Sequence, residues 1–210
     1  MRQILFVLLT MLLCSTTAFS AQIDLSNLTA TGTFMNGVDN ITDGYVPYEG
    51  YNWMSSESTY FKAYDGDLEE IVFDLGDLYK VDDMLLSVDN NDTYYMEYLN
   101  EASGLWVNLF TIQNEYGEIY GGLDTMTTYE GGEYVAGIDF ASVETRYLKF
   151  WADPANDSSV GDRNFAIGEI QAFGEIVQNG QTPPVPEPST MLLLGIGIAG
   201  IAWAGRRRNR

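Results

Sequence analysis

The sequence predicts an all-β fold, a β-sandwich occupying residues 21–175, and three observations lead there. Short runs that alternate apolar and polar residues, or concentrate β-branched and aromatic ones, recur through that stretch. Turn signals stand between them at the spacing of a sandwich. No part of the stretch sustains a helical apolar period, and no internal repeat is visible.

The strands are expected, in order, at IVFDL (71–75), VDDMLLSV (81–88), TYYMEYL (93–99), LWVNLFTI (105–112), TRYLKFW (145–151) and FAIGEIQAF (165–173). Gly76-Asp77, Asp89-Asn90-Asn91-Asp92, Ser103-Gly104, Gly121-Gly122, Gly131-Gly132 and Asp153-Pro154 supply the turns. Phe73, Trp106, Phe150 and Phe173 fall at strand positions and are expected in the core.

Both ends of the chain read as address. Arg2 gives a positive start, Ile4 to Cys14 is apolar, and Ala18-Phe19-Ser20 offers small residues where a signal peptidase reads. Residues 1–20 are therefore expected to form a signal helix cleaved between Ser20 and Ala21. Residues 176–185 read as a Pro-containing linker. Beyond it, Met191 to Ala204 is apolar for 14 residues and stops at Arg206, Arg207, Arg208 and Arg210. A helix rising about 1.5 Å per residue needs about 20 residues to cross about 30 Å of hydrocarbon. The segment spans only by thinning the bilayer or borrowing Ser189, Thr190 and Gly205, and its arginines orient it tail-in, with everything before Pro186 outside the cytoplasm.

Pro186-Glu187-Pro188, Ser189-Thr190, the Gly-interrupted apolar helix and the arginine cluster together resemble the PEP-CTERM sorting signal of Gram-negative bacteria, over residues 186–210. The resemblance implies recognition by an exosortase at or near Pro186, Glu187 and Pro188. It also implies transient anchoring in the inner membrane and a final place at the cell surface or in an extracellular, exopolysaccharide-containing biofilm matrix.

A second resemblance covers about 130 residues. Asp43-Gly44, Phe73-Asp74-Leu75-Gly76, Tyr94 to Tyr98 followed by Ser103-Gly104-Leu105-Trp106, Arg146 to Phe150, and the closing Ile167 to Gly174 are similar, in that order, to the discoidin or F5/8 type C domain. That likeness implies a jelly-roll sandwich of the galactose-binding-like superfamily, whose members mostly bind glycans, lipids or proteins through loops at one end. Many members hold a structural calcium. Asp43 and Glu169 are the matching positions, with Asn36, Asp39 and Asn40 near enough in sequence to add oxygens. Tyr51, two residues before Trp53, stands where the family often has threonine.

Charge and composition bound the chemistry. Residues 21–182 hold 29 acidic and five basic residues, a balance of −24, which repels nucleic acid and anionic lipid and suits divalent cations and neutral or cationic glycans. Cys14 leaves with the signal peptide, so no disulfide is available. The absence of histidine excludes Ser-His-Asp and Cys-His catalysis and the usual catalytic zinc sites. No pair of carboxylates is marked as a glycosidase pair, and no enzyme is expected.

Two loops are candidates for ligand binding. Asp89, Asn90, Asn91 and Asp92 would present four side-chain oxygens suited to sugar hydroxyls, or would simply form a turn. Tyr45, Tyr48 and Tyr51 lie in an irregular stretch, where flat rings suit the apolar face of a sugar. Tyr116, Tyr120 and Tyr129 lie in a second, glycine-rich loop, and for both groups the other reading is ordinary loop packing. The expected partner is a glycan; the alternative is a structural matrix protein cross-linked through divalent cations.

Overall fold

The computed structural model describes residues 20–62, 69–89, 91–117, 121–152 and 164–177. Asn90, Tyr120, most of the expected signal peptide and linker, and Pro186, Glu187 and Pro188 lie outside the described residues. Ten strands follow in chain order: β1 (Ala21–Ile23), β2 (Leu28–Thr31), β3 (Phe34–Met35), β4 (Thr59–Lys62), β5 (Glu70–Asp89), β6 (Tyr94–Asn100), β7 (Leu105–Ile112), β8 (Leu123–Thr127), β9 (Val143–Ala152) and β10 (Asn164–Ile176). Two 3-10 turns, Val38–Thr42 and Ala136–Ile138, are the helical elements among the described residues. Neither is long and apolar enough to cross a membrane. The all-β sandwich expected from the sequence is what the chain forms.

β5 organises the molecule by belonging to both layers. Its first half pairs with β2 and β9, and β9 leads on through β6 to β7. Its second half lies between β8 and β10, and β10 carries β4, then β3, with β1 farther along the same edge. The two expected strands 71–75 and 81–88 are thus one strand, and Gly76-Asp77 is a bend within it. The bend is local chemistry. Gly76 takes φ 81°, its N–H donates to Asp74 Oδ1 at 3.0 Å, and Arg146 grips the same carboxylate at 2.7 and 2.9 Å. The guanidinium and the Gly76 N–H hold the Asp74 carboxyl below the usual aspartate range.

Strand pleating then sorts the residues by face. Ile71, Phe73 and Leu75 point into the core from the first half of β5, and Met84, Leu86 and Val88 from the second. The change from odd to even positions follows Asp82, which is left over where Phe173 faces Asp83 and Gly174 faces Val81. Tyr94, Met96, Phe110, Ile112, Leu148, Phe150, Phe165, Ile167 and Ile170 complete the core. The Tyr94 ring stacks on Phe150 at 5.4 Å and meets Phe165 edge-on at 5.8 Å, joining the two layers. Its buried hydroxyl accepts from Ala166 N–H at 3.1 Å and donates to Ala166 O at 3.2 Å.

Three expectations are corrected. Trp106 is not core: it faces outward, 36% exposed, with the Lys149 ammonium 4.7 Å from its ring centre. A bulge at Leu109 shifts the register between β6 and β7 and sends Trp106 to the outer face beside Leu99. Phe173 is only half-buried, packed edge-on against Tyr129. The domain also runs past 175, because Ile176 pairs with Tyr79 and Val177 N–H donates to Leu78 O at 2.8 Å.

The two ends of the sandwich differ. At one, Asp89 lies opposite Leu123, and Tyr94 follows after a short turn. At the other, Ala21 faces Gly174 and Ile176 faces Tyr79, so both ends of the described chain meet there.

Candidate functional site

The stretch 43–51 starts where the 3-10 turn Val38–Thr42 closes on Asp43. Asp43 Oδ1 accepts the Tyr45 N–H at 2.8 Å, the local bond that an aspartate before glycine makes readily. Gly44 N–H then donates to Glu169 Oε1 at 3.1 Å, so the first and last parts of the domain meet here. Farther on, Pro47 is buried over β10, where a Cβ on Gly168 would come within 2.7 Å of its Cγ. The stretch covers the outer face of the β10–β5 pair.

That cover buries Glu169, which is 1% exposed. Burial pushes its carboxyl up to about 7, with the Asp43 charge adding to the rise while Gln171 Nε2, at 3.1 Å, and Gly44 N–H oppose it. Glu169 Oε2 and the Oγ of Ser87, its cross-strand neighbour, are buried without a hydrogen-bond partner. A cation at Glu169 would meet a carboxylate oxygen that the protein leaves bare. The Nδ2 groups of Asn36 and Asn40 donate to Ser58 O at 3.1 Å and Ser56 O at 2.8 Å, and Asp39 is exposed. Among the described residues no group of three or more acidic side chains is arranged to hold a metal. Of the carboxylates singled out for an ion, Asp43 and Glu169 are the two that lie near each other, close enough for the Asp43 charge to raise Glu169.

The tyrosines come next. Tyr48 is 66% exposed and meets the half-buried Tyr51 edge to face, ring centres 4.8 Å apart; Tyr45 is also exposed. Their backbone is fixed to the start of β8: Gly50 N–H donates to Leu123 O and Leu123 N–H to Tyr51 O, both at 2.9 Å. Gly122 is needed for this approach, since a Cβ there would lie 2.8 Å from Tyr51 O. Leu123 in turn faces Asp89 across the sheet. The structure thus brings the two loops singled out in the sequence to one end of the sandwich.

The four-oxygen reading of the second loop is corrected. Asp89 and Asp92 are buried and Asn91 is half-buried. Asp92 Oδ2 lies 3.5 Å from the Tyr94 hydroxyl, and burial together with the Asp92 and Asp89 charges pushes that phenol well up. The aspartates brace the buried end of Tyr94 and do not present themselves to solvent.

Two further residues of the site escape a sequence reading. Glu49, between the tyrosines, accepts the Thr125 N–H through Oε1 at 3.2 Å and shares a hydrogen bond with the buried Asp124. Burial first, then that bond and the Asp124 charge, push Glu49 up to about 7. Asp124 sits in LDTMT, a strand too polar to stand out from the glycine-rich segment before it. The hydrogen-bonded carboxyl groups of Glu49 and Asp124 thus lie beside exposed tyrosine rings.

Comparison with known proteins adds an address. Residues 184–208 match the family model described as the PEP-CTERM protein-sorting motif, on the segment expected to carry it. The motif marks an exported protein sorted to the cell envelope. No curated protein matches the chain. Among solved structures, the chain is similar to the CBM32 of AlyQ in complex with 4,5-unsaturated mannuronic acid, at 16% identity over 73% of this chain and 98% of that one, with a TM-score of 0.46. It is similar to chitosan-binding module 1 from a chitosanase/glucanase of Paenibacillus sp. IK-5, at 16% identity over 73% and 100%, TM-score 0.44. It is also similar to the fucose binding module SpX-3 of Streptococcus pneumoniae, at 11% identity over 73% and 97%, TM-score 0.46.

Proposed function

We propose that this is an exported, non-catalytic glycan-binding protein of the cell surface or extracellular matrix, whose site is the tyrosine loop with the Glu49–Asp124 pair beside it. The observation that carries the reading is Tyr48: a large ring, mostly exposed, on backbone pinned to β8 and so offered without an ordering cost. The C–H face of a pyranose packs on such a ring, and the adjacent carboxyl oxygens accept hydrogen bonds from its hydroxyls. With 29 acidic residues in the exported part, neutral or amine-bearing sugars suit the surface better than uronic acids, and nucleic acid is disfavoured.

Processing completes the proposal. Signal peptidase cleaves between Ser20 and Ala21, leaving β1, which starts at Ala21, intact. An exosortase acts at Pro186-Glu187-Pro188 while the apolar segment holds the precursor in the inner membrane. Asp43 and Glu169 would hold a structural calcium, whose charge would offset the buried carboxylate.

A glycan array followed by calorimetry on the best ligand tests the reading. Tyr48→Ala should weaken binding at least tenfold while leaving the melting temperature unchanged. If Tyr48→Ala binds like the wild type, the site lies elsewhere.

A further inference from the structure

We propose that two copies of this chain associate through the open edge of β7, strand against strand and antiparallel across a two-fold axis, at Leu105–Asn108. Among the described residues every other strand edge is short or covered. β3 and β2 have two and four residues, and β8 is flanked by the backbone of 133–135, with Thr127 N–H donating to Glu133 O at 2.8 Å and Val135 N–H to Thr127 O at 3.0 Å. β7 has eight residues and pairs only with β6 among the described residues.

The two halves of β7 differ. Leu109 to Ile112 are buried or half-buried, packed by Ala136–Ile138 and by Phe140, whose ring stacks on Phe110 at 5.7 Å. Leu105 to Asn108 are all exposed, Leu105 at 65% and Val107 at 38%. Leu105 and Val107 share the core-facing side with Tyr98, and Trp106 points to the other. An occupant must therefore be extended, to meet the open backbone edge, where the Leu105 N–H now turns to Ser103 Oγ at 3.3 Å, and apolar on both faces, to cover both sets of side chains.

β7 meets that description itself, and charge favours it as its own partner. Copies with a balance of −24 repel each other over most of their surfaces, but residues 102–114 contain no charged side chain. A two-fold axis through this strip brings neutral surface to neutral surface and closes the assembly at two. Four residues from each copy bury far less than the roughly 800 Å² per partner of a stable complex, so the association is weak and depends on local concentration. At a crowded surface it would join two glycan sites and raise avidity without any new sugar contact.

Sedimentation velocity on the full chain over a range of concentrations tests this, with Val107→Lys and Trp106→Ala as variants and Cys14→Ser, Val107→Cys as a cross-linking probe. The average mass should rise toward two copies with concentration, and Val107→Lys should stay at one copy while binding sugar as the wild type does. Oxidised glutathione should join the Val107→Cys chain into disulfide-linked pairs far faster than a Cys14→Ser, Ser56→Cys control. A mass that stays at one copy, or a Val107→Lys variant that associates like the wild type, would overturn the proposal. Equal cross-linking at Val107→Cys and Ser56→Cys would overturn it too. Loss of sugar binding alone bears on the tyrosine loop and leaves these readings unchanged.

Discussion

Replacing Glu169 with glutamine should make the protein more stable at neutral and alkaline pH, although it removes a charge from a hydrogen-bonded position. The carboxyl is 1% exposed and its native value is raised from the ordinary 4.5 to about 7. Between those values the native state holds a proton that the unfolded chain has released, so stability falls as pH rises through the window and is flat above it. At about 1.4 kcal/mol per pH unit, full ionisation costs the fold at most about 3.5 kcal/mol, an upper limit because water and local relaxation screen a charge just beneath the surface. Glutamine keeps an acceptor for the Gly44 N–H and removes the ionisation. In a chelator, we predict that thermal melts of Glu169→Gln and wild type coincide near pH 4.5 and separate progressively to pH 8. The full separation for a domain of about 150 residues would be at most about 7 to 14 °C. Glu49 also titrates near 7, but it is present in both proteins, and the difference isolates Glu169. Wild type and variant melting together at pH 8 would refute the reasoning.

Calcium should act in the same place with the opposite sign: added in a hundredfold excess over Kd at pH 8, it should raise wild-type stability by about 2.7 kcal/mol, and Asp43→Ala should abolish that gain in melts that leave an Asp77→Ala control responsive. Tyr94→Phe keeps the ring contacts but deprives the buried Ala166 N–H of its partner, and urea titration should show a loss of about 1 to 3 kcal/mol. Pro186→Ala with Pro188→Ala should leave a full-length, membrane-retained precursor on immunoblots of fractionated cells; release of a shortened product from this variant would speak against exosortase processing.

Legibility in the sequence followed the physics of each element. LWVNLFTI is dense in apolar, β-branched and aromatic residues, and its expected bounds, 105–112, are those of β7. The runs that became β6, β9 and β10 were likewise visible, to within a few residues at either end. LTAT and LDTMT were not, because β2 and β8 owe their extended form to pairing with β5 more than to any pattern of their own. The site divided in the same way. Asp43 could be matched to Glu169 by resemblance, and the tyrosine loop stood out by its irregularity. Burial of Asp89 and Asp92 could not be read, since a polar run shows that a chain turns and not which side its carboxylates take. Trp106 failed for a related reason: a one-residue bulge reverses a strand's faces and leaves no mark in composition.

The opposed ends of the sandwich have a mechanical consequence. Held by its C-terminus and loaded at the tyrosine loop, the domain would carry force along β10, from Ile176 toward Glu169, where Gly44 is attached. β10 is flanked by β5 on one side and by β1 and β4 on the other, so such a pull slides it lengthwise past its neighbours. Sliding stretches many ladder bonds at once, whereas peeling an edge strand breaks them one after another. Optical tweezers holding the chain through position 177 and through Tyr48→Cys should record rupture at markedly higher force than when it is held at 177 and Leu105→Cys, on the outlying hairpin; equal forces would contradict this. A protein arranged in this way is suited to hold whatever binds the tyrosine loop under tension, as flow across a surface would impose.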